Sequence, residues 1–598
     1  MLGTAESPNA CGNGINGFTC FVRVLDNGAP GIGALQARVV LAVVHRADAP
    51  HALFAEFFAV PDELVAQQLK REVLCTQWRG CEQEEVASQC PRAMKNVLHV
   101  FSVVSFCDEQ DKKSIPPQVY SALRVMFDGM PDLWKKSFQK EFEGKLCFTG
   151  SEGMRRRMAS DHTEDLVFMP GMVVEPSSTH EVQQVMKWAH ANDVPVTPAG
   201  AMTGLSGGAL PVEGGISLST RRLNRIVTID ERNHQVVVEP GVIVQEMQEA
   251  VQERGLFYAV DPASRGSCTI GGNLAENSGG PRAVKYGVTK DWVLNLEVVL
   301  MDGSVIETGA NTLKNSTGYN LTALMVGSEG TLGVITRATL KLLPWPRYTA
   351  LMLVPFADAH SACRAVAEIF QQGNQPSALE FMERSAIELA AEYAGMAPPA
   401  MDASTQAHLL IEVDGFDPDE LMPQLERIFA AVNACGAGEP LLAEDEAAKN
   451  LLWRLRRVVG EAVKAASVYK EEDTVVPRGT LPELLAAVKA VGAKHGFESI
   501  CYGHAGDGNL HVNILKRGVS EAAWEAELPV AIRSIFEKVV ALGGTISGEH
   551  GIGWVQRPYM DLAFGSTELH LQRAIKAQFD PKGLLNPGKI WPMEVSKI

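Results

Sequence analysis

MVVEPSSTHEVQQVMKWAHANDVPVTPAGAMTGLSGGALP, residues 172–211, is the stretch whose reading decides the fold. MVVEP reads as a short strand. Ser178 followed by Glu181 is a capping-box pair, in which side chains satisfy the free N–H groups of a helix start. Val182, Val185, Met186 and Ala189 then recur at helical spacing. Asn192 closes that helix, and VPVTP gives the next strand. The β-α-β unit delivers the chain into a glycine-rich loop at 198–211. Small residues there let successive backbone N–H groups converge on an anion. The loop lacks the G-x-G-x-x-G spacing of the common dinucleotide fold, and no G-K-[ST] closes it as in a P-loop. On its own such a loop serves equally as a tight turn between strands.

The following sequence adds two more such loops. RIVTIDERNHQVVVEPG, 225–241, reads as a hairpin turning at Glu231-Arg232-Asn233. VIVQEMQEAVQERG is a helix with Val244, Met247 and Val251 on one face, stopped by Gly255. DPASRGSCTIGGNLAENSGGPRAVKYG, 261–287, carries six glycines in a polar, non-repetitive context. VLNLEVVLMDGSVIET is a hairpin with Asp302-Gly303 at its turn. TGYNLTALMVGSEGTLGVITRATLKLLP, 317–344, repeats the order loop, helix, glycine loop, strand. Three glycine-rich loops in one α+β region suit a long ligand lying along backbone, such as a cofactor with a pyrophosphate.

Beyond Leu343-Pro344-Trp345-Pro346 the pattern changes to longer amphipathic helices between isolated strands, which places a domain boundary near 346. LMLVPF, LEFMER and LLIEVDGF read as strands, and SACRAVAEIFQQG as a helix. Two motifs there carry titratable groups. HAGDGNLHVN, 504–513, supplies His504 and His511, and SGEHGIG, 547–553, supplies Glu549 and His550. In one unbroken strand, residues seven apart point to opposite faces. The run 505–509 must therefore turn before a strand LHVNIL begins, and that strand puts His511 and Asn513 on one face. A single His in such a place is ordinarily a packed core residue. Four groups in glycine-rich settings are better explained as a half-open metal site of His504, His511 and Glu549. His550 stands beside it as a base, its free pKa near 6.5 suiting proton abstraction at neutral pH. Asn513 is placed to orient a substrate.

Composition bounds the rest. At 598 residues with 46% hydrophobic content, the chain holds several domains and a large core. A net charge of -17 and the lack of a Lys/Arg block argue against nucleic acid and anionic membrane as main partners. No basic segment followed by an apolar core opens the sequence, and VVLAVV at 39–44 is too short to span a bilayer, so a cytoplasmic protein is expected. Of eleven Cys, six lie in the first 110 residues. None forms a C-x-x-C pair, so free thiols are expected rather than a zinc or iron–sulfur site built on them. Residues 1–115 show no repeat or motif and receive no function; QVYSALRVMF, 118–127, reads as a helix.

The motifs TGLSGGA, DPASRGSCTIGGNLAENSGG, KYG, GSEGTLG, GHAGDGNLH, SGEHGIG and FDPKGLLNPGKIW together resemble the FAD-linked 2-hydroxy-acid dehydrogenases over residues 117–597. That family includes the glycolate oxidase flavin subunit, D-lactate dehydrogenase and D-2-hydroxyglutarate dehydrogenase. The resemblance implies an α+β fold: an FAD-binding domain of the vanillyl-alcohol oxidase type at 116–346, an α+β substrate cap with the metal site at 347–569, and a tail at 570–598 returning to the FAD domain. It implies that Gly200, Thr203, Gly204, Leu205, Ser206 and Gly207 wrap the FAD pyrophosphate. Pro262, Gly271, Gly272, Asn277, Ser278 and Gly279 would line the flavin and its phosphates. Gly330, Ile335 and Asn586 would add contacts, with Lys589 beside Asn586. Ala201-Met202 departs from the family, whose members often carry glycine there. Arg456 and Lys470 match positions that hold the substrate carboxylate.

The implied reaction is FAD-dependent oxidation of a D-2-hydroxy acid, D-lactate, glycolate or similar, to the 2-oxo acid, with the α-hydride passing to flavin N5. The His/His/carboxylate set suits zinc, manganese or iron, and the resemblance favours zinc or manganese. The resemblance leaves the electron acceptor open among a quinone, an electron-transfer flavoprotein and an iron–sulfur subunit. It also allows a homodimer and a location at the inner face of the membrane. Two rival readings differ in testable ways. A non-catalytic flavin-binding subunit of a larger oxidase would be yellow and never bleach, and a metallohydrolase would carry no flavin.

Overall fold

The computed structural model describes residues 132–163 and 166–592, together with the backbone of three strands nearer the N-terminus. Those three, Phe18–Leu25, Arg38–His45 and Leu53–Phe58, form an antiparallel meander in a unit of its own, Met1–Leu133. The expected helix at 118–127 lies outside the described residues. Trp134–Ile598 make the second unit.

The opening stretch folds as read. Strand Met172–Val174 leads into helix Thr179–Ala191, whose Ser178 side chain accepts the Glu181 N–H. The reciprocal bond differs by one residue: the Glu181 carboxylate accepts from Ser177 N at 2.7 Å. Val182, Val185, Met186 and Ala189 are all buried on one face. Strand Val196–Ala199 follows, and both strands pair in parallel with Ile216–Ser219 between them. With Phe148–Thr149 at one edge this makes a four-stranded sheet. A helical crossover of this kind is what lets parallel strands share a sheet.

The expected hairpins, Ile226–Asp230 with Gln235–Val238 and Val293–Val299 with Val305–Glu307, join Val334–Lys341 in a five-stranded antiparallel sheet. Helix Thr179–Ala191 packs between the two sheets, its apolar face meeting Val299, Met301 and Val334. The glycine-rich loops run between these sheets.

Residues beyond 346 form a seven-stranded sheet, antiparallel throughout its named pairs, in which Tyr348–Phe356, Ala407–Gly415, Ala378–Glu383, Glu498–Gly503, Asn509–Leu515 and Tyr469–Val475 lie in that order. Side chains alternate between its faces, as the strand period requires. One face, with Leu379, Phe381, Leu409, Ile411, Val512 and Ile514, is covered by helices Ala359–Gln371, Leu421–Asn433, Leu481–His495 and Glu521–Ala541. The other is apolar along part of its length, where Met382, Leu410, Ile500 and Tyr502 meet helices Arg384–Ala394 and Glu446–Arg457. Along the remainder it bears Glu380, Glu412, Asp414, Glu471, Asp473, His511 and Asn513, all turned toward the glycine loops.

The tail returns to the first sheet. After helix Ser566–Phe579, Leu585 bridges Val196 in parallel, and Leu584 and Leu585 join the core under that sheet. Asn586, buried and left-handed at φ 43°, donates to Gly208 O at 2.9 Å and to Glu329 O at 2.7 Å. Lys589 donates to Leu210 O at 2.5 Å and to Asn586 Oδ1 at 3.0 Å. The tail thus ties together two of the three glycine-rich loops.

Among the described residues Cys147, Cys268, Cys363, Cys435 and Cys501 are free thiols, as expected. No described helix is long and apolar enough to cross a membrane. Asn586→Ala should lower stability by at least about 2 kcal/mol, because two buried carbonyls lose their donor. A urea midpoint unchanged from wild type would show that the tail does not hold the loops.

Candidate active site

The turn required between His504 and His511 is present. Ala505–Asp507 make one 3₁₀ turn, and Gly508 at φ 89° starts strand Asn509–Leu515. Gly508 has no substitute there, since a Cβ would lie 1.9 Å from Val476 O. His504 caps the turn, His511 stands on the strand, and the two rings meet edge to face with centroids 5.4 Å apart.

Glu549 and His550 arrive on a loop shaped by one carboxylate. Asp473, on strand Tyr469–Val475 opposite His511, is buried. Its Oδ2 accepts the backbone N–H groups of Gly548, Glu549 and His550 at 2.8, 2.7 and 2.9 Å. Its Oδ1 accepts from Asn509 Nδ2 at 2.6 Å. Burial pushes this carboxyl up, but the charge of His550 and the backbone donors overcome it and hold the pKa far below the usual range.

The result is a compact triad. Glu549 Oε1 lies 3.4 Å from His504 Nε2 and 3.6 Å from His511 Nε2, and the three groups present ligand atoms within 4.8 Å of one another. The opposite nitrogen of each ring also faces a carboxylate: His504 Nδ1 lies 2.9 Å from both oxygens of Glu380, and His511 Nδ1 lies 3.3 Å from Glu471. Such carboxylates fix ring orientation and tautomer at metal centres. The donor set therefore fits a divalent ion, with one side open where Glu549 and His550 are 15% and 20% exposed. Burial holds His511 down at about 3, so its ring is neutral and its lone pair free. Burial also raises Glu549, but the charge and hydrogen bond of His504 reverse this and hold it at about 2. For His550 burial works against protonation, and Asp473, Glu471 and Glu549 outweigh it, raising its pKa. The His550 ring stacks on His511 at 5.4 Å and lies 4.0 Å from Glu549 Oε1 through Nε2.

The other residues named from the sequence fall out differently. Asn513 shares the face of His511 and is fully buried; its amide N–H lies toward the Tyr502 hydroxyl and its Oδ1 has no hydrogen-bond partner. Arg456 is buried, lies over Tyr502 at 5.0 Å, and sits 2.7 Å from Glu380 Oε2. Its charge thus acts on His504 through Glu380. Lys470 is not brought into the site. It neighbours Glu471 in sequence, so the two-residue period of the strand turns it to the opposite face, with Glu472 and Thr474. Glu380, Glu471 and Asp473 were missed. Their signal was available: Glu380 interrupts the apolar run ALEFME, and Glu471 and Asp473 alternate in KEED.

The glycine loops converge beside this triad. A Cβ on Gly200 would meet Thr269 Oγ1 at 2.7 Å, and one on Gly271 would meet Pro240 Cβ at 2.6 Å. Gly280 packs on the Asp261–Pro262 backbone, and Gly330 stands 3.3 Å, Cβ to Cγ, from Pro198. Thr203, Gly204 and Leu205 are half-buried, while Ser206 and Gly207 are buried, Gly207 at φ 74°. The Ser206 hydroxyl and Asn273 amide nitrogen are buried without partners, as donors awaiting an anionic or carbonyl acceptor would be. These features fit the pyrophosphate and ring of FAD. Met202, where the sequence departs from the family, is left-handed at φ 62°, the backbone region that favours glycine. Asn277 is left-handed at φ 57° and its Oδ1 accepts Lys290 N at 2.9 Å; Ser278 O accepts Thr289 N at 3.0 Å. Ile335 is half-buried on its strand. The amide of Asn586 is taken up by loop carbonyls and Lys589, so it shapes the cofactor loops from behind.

The two halves meet at Gly279. A Cβ there would stand 3.0 Å from Glu549 Oε2. Arg282 faces Glu412 at 3.4 Å, Lys285 reaches Asp414 at 2.5 Å, and Arg457 reaches Asp261 at 3.2 Å.

Comparison with known proteins agrees with this geometry. Residues 170–309 match the FAD binding domain, and residues 345–590 match the C-terminal domain of FAD linked oxidases. A D-lactate dehydrogenase of Anaerostipes hadrus is 37% identical over 75% of this chain and 96% of its own length. The glycolate oxidase subunit GlcD of Bacillus subtilis is 37% identical over 76% of this chain and 96% of its own. Among solved structures, p-cresol methylhydroxylase superposes with a TM-score of 0.63 at 16% identity, covering 76% of this chain and 96% of that one. The fold is that of the vanillyl-alcohol oxidase type. Two cofactor loops, a cap sheet carrying the His-His-Glu triad, and relatives matched over nearly their whole length make this chain a member of the FAD-linked 2-hydroxy-acid dehydrogenase family.

Proposed function

We propose that this protein oxidises a D-2-hydroxy acid of the D-lactate or glycolate kind to the 2-oxo acid, using FAD and a divalent ion. The observation that carries this reading is the closeness of Gly279, in a flavin loop, to Glu549 of the triad. A substrate held on the triad then has its C2 hydrogen directed at the flavin loops.

FAD, when bound between the loops, supplies the acceptor for the α-hydride. A zinc or manganese ion held by His504, His511 and Glu549 would supply Lewis acidity for the substrate hydroxyl. The protein's own groups do the rest. Glu380 and Glu471 hold the His504 and His511 rings in orientation, and Arg456 balances the charge of Glu380. His550 stands at the open side of the triad and takes the hydroxyl proton on its ring nitrogen. Asn513 offers its unpartnered Oδ1 to the substrate. Asp473 holds Glu549 and His550 at their places through three backbone N–H groups. Arg456 is a positioning residue in this scheme. A quinone, an electron-transfer flavoprotein or an iron–sulfur subunit would serve as the external electron acceptor.

Purified protein should show flavin absorbance that bleaches anaerobically with D-lactate, glycolate or D-2-hydroxyglutarate. A yellow protein that none of these acids bleaches would remove the reading. His550→Ala should cut turnover by about 10²- to 10⁴-fold, the range of a general base, while keeping its flavin; unchanged turnover takes His550 out of the mechanism. Dialysis against a chelator should abolish turnover without releasing flavin, and zinc or manganese should restore it. Full activity in metal-free protein would refute the triad's role. Asp473→Asn should destabilise the fold by about 3 kcal/mol, since an amide replaces a buried charge with three N–H donors on it, and should lower metal content; thermal denaturation and metal analysis read both.

A further inference from the structure

Glu471 has a place in the site beyond holding His511. It stands on the same strand face as Asp473, opposite Asn513 in the register of the next strand. Its side chain is 13% exposed, and its carboxylate, His511 and His550 bring their ligand atoms within 4.8 Å of one another. Glu471 therefore flanks the base as well as the ring of a ligand residue. Beside it lies Asn513, fully buried, with its amide N–H toward the Tyr502 hydroxyl and its Oδ1 without a partner. A buried amide oxygen without a partner marks a place where a ligand atom is received. This part of the wall thus consists of one acceptor-only anion and one neutral amide.

Substrate geometry makes this wall matter. An acid on the triad with its hydroxyl toward His550 has its remaining C2 substituent within reach of groups flanking His550. Arg456 is held on Glu380 at 2.7 Å, and Lys470 projects from the other face of the strand.

We propose that Glu471 and Asn513 form the subsite for the substituent beyond C2, and that Glu471 is the specificity-determining residue: it admits a hydrogen or a short neutral or hydroxylated chain and rejects a second carboxylate. This rests on the dehydrogenase reading above and narrows it to 2-hydroxy monoacids. Two like charges about 5 Å apart at protein-like dielectric repel strongly enough for discrimination on the order of a hundredfold.

The test is kcat/KM of the FAD-loaded, metal-loaded protein for glycolate, D-lactate and D-2-hydroxyglutarate, with a dye as acceptor. The wild type should favour the better monoacid over the diacid by about a hundredfold or more. In Glu471→Gln that ratio should fall at least about tenfold, mainly through the KM for the diacid, as loss of a charge repulsion requires. Glu471→Lys should lower it further. The ratio is taken within each variant, so overall loss of activity does not affect it, and metal and flavin contents are measured alongside. Equal use of all three acids by the wild type, or a ratio unmoved in the variants, overturns the proposal while leaving the dehydrogenase intact. No bleaching by any acid removes the dehydrogenase reading, and this proposal with it.

Discussion

One carboxylate organises the site. Asp473 lies at the edge of the seven-stranded sheet, and its two oxygens hold two separate loops, Oδ2 the 548–550 backbone and Oδ1 the Asn509 amide. His504 and His511 flank Asn509, and Glu549 and His550 lie in the other loop. A buried carboxylate with five donors, the Ser547 hydroxyl included, resists rearrangement, because each donor released would be left unpaired away from water. The glycines around it follow from this constraint. A Cβ on Gly548 would lie 2.4 Å from Val475 Cγ2 and 2.8 Å from Asn509 Nδ2, inside the space the hydrogen bonds require.

The same economy joins the cap to the cofactor loops. The cap sheet presents Glu412 and Asp414, and the flavin loop presents Arg282, Lys285 and Tyr286, whose hydroxyl donates to Asp414 at 2.8 Å. Arg457 closes a third pair with Asp261. From the far side, Glu329 accepts the N–H groups of Ile552 and Gly553 at 2.8 and 2.6 Å. Cap and flavin loops are thus linked by charge-assisted bonds on both flanks of the triad. Partly buried pairs of this kind contribute register more than net stability, and register is what a hydride transfer across the join needs.

Much of this was legible in the sequence, for physical reasons. Helix Thr179–Ala191 and the hairpins could be read because burial on one face imposes a period, and turns impose residue types. The triad could be read because two imidazoles and a carboxylate in glycine-rich turns have few structural uses. Glu380, Glu471 and Asp473 escaped because acidic residues in strands are common and only pairing reveals which face they take. Lys470 shows the limit clearly: a one-residue error in a strand exchanges the faces completely. Asn586 was read as a cofactor contact, and its partners turned out to be loop carbonyls that only the returning tail could bring to it.

Charge balance on the sheet face gives the strongest physical reason to expect a cation at the triad. Glu380, Glu471, Asp473, Asp507 and Glu549 crowd one wall, all of them at least largely buried. Arg456 compensates Glu380, and the backbone donors compensate Asp473. Burial pushes Asp507 up to about 7 and also raises Glu471, with neighbouring carboxylates adding to both shifts and His504 and His550 opposing them. Buried carboxylates are tolerated when paired or when they coordinate a metal. Glu549 Oε1 faces the ring nitrogens of His504, His511 and His550 at 3.4, 3.6 and 4.0 Å. A divalent ion among them would take Glu549 as a ligand, and would give the α-carboxylate of a substrate a counter-charge where acids otherwise dominate. Binding of an anionic substrate beside five carboxylates makes physical sense only on those terms.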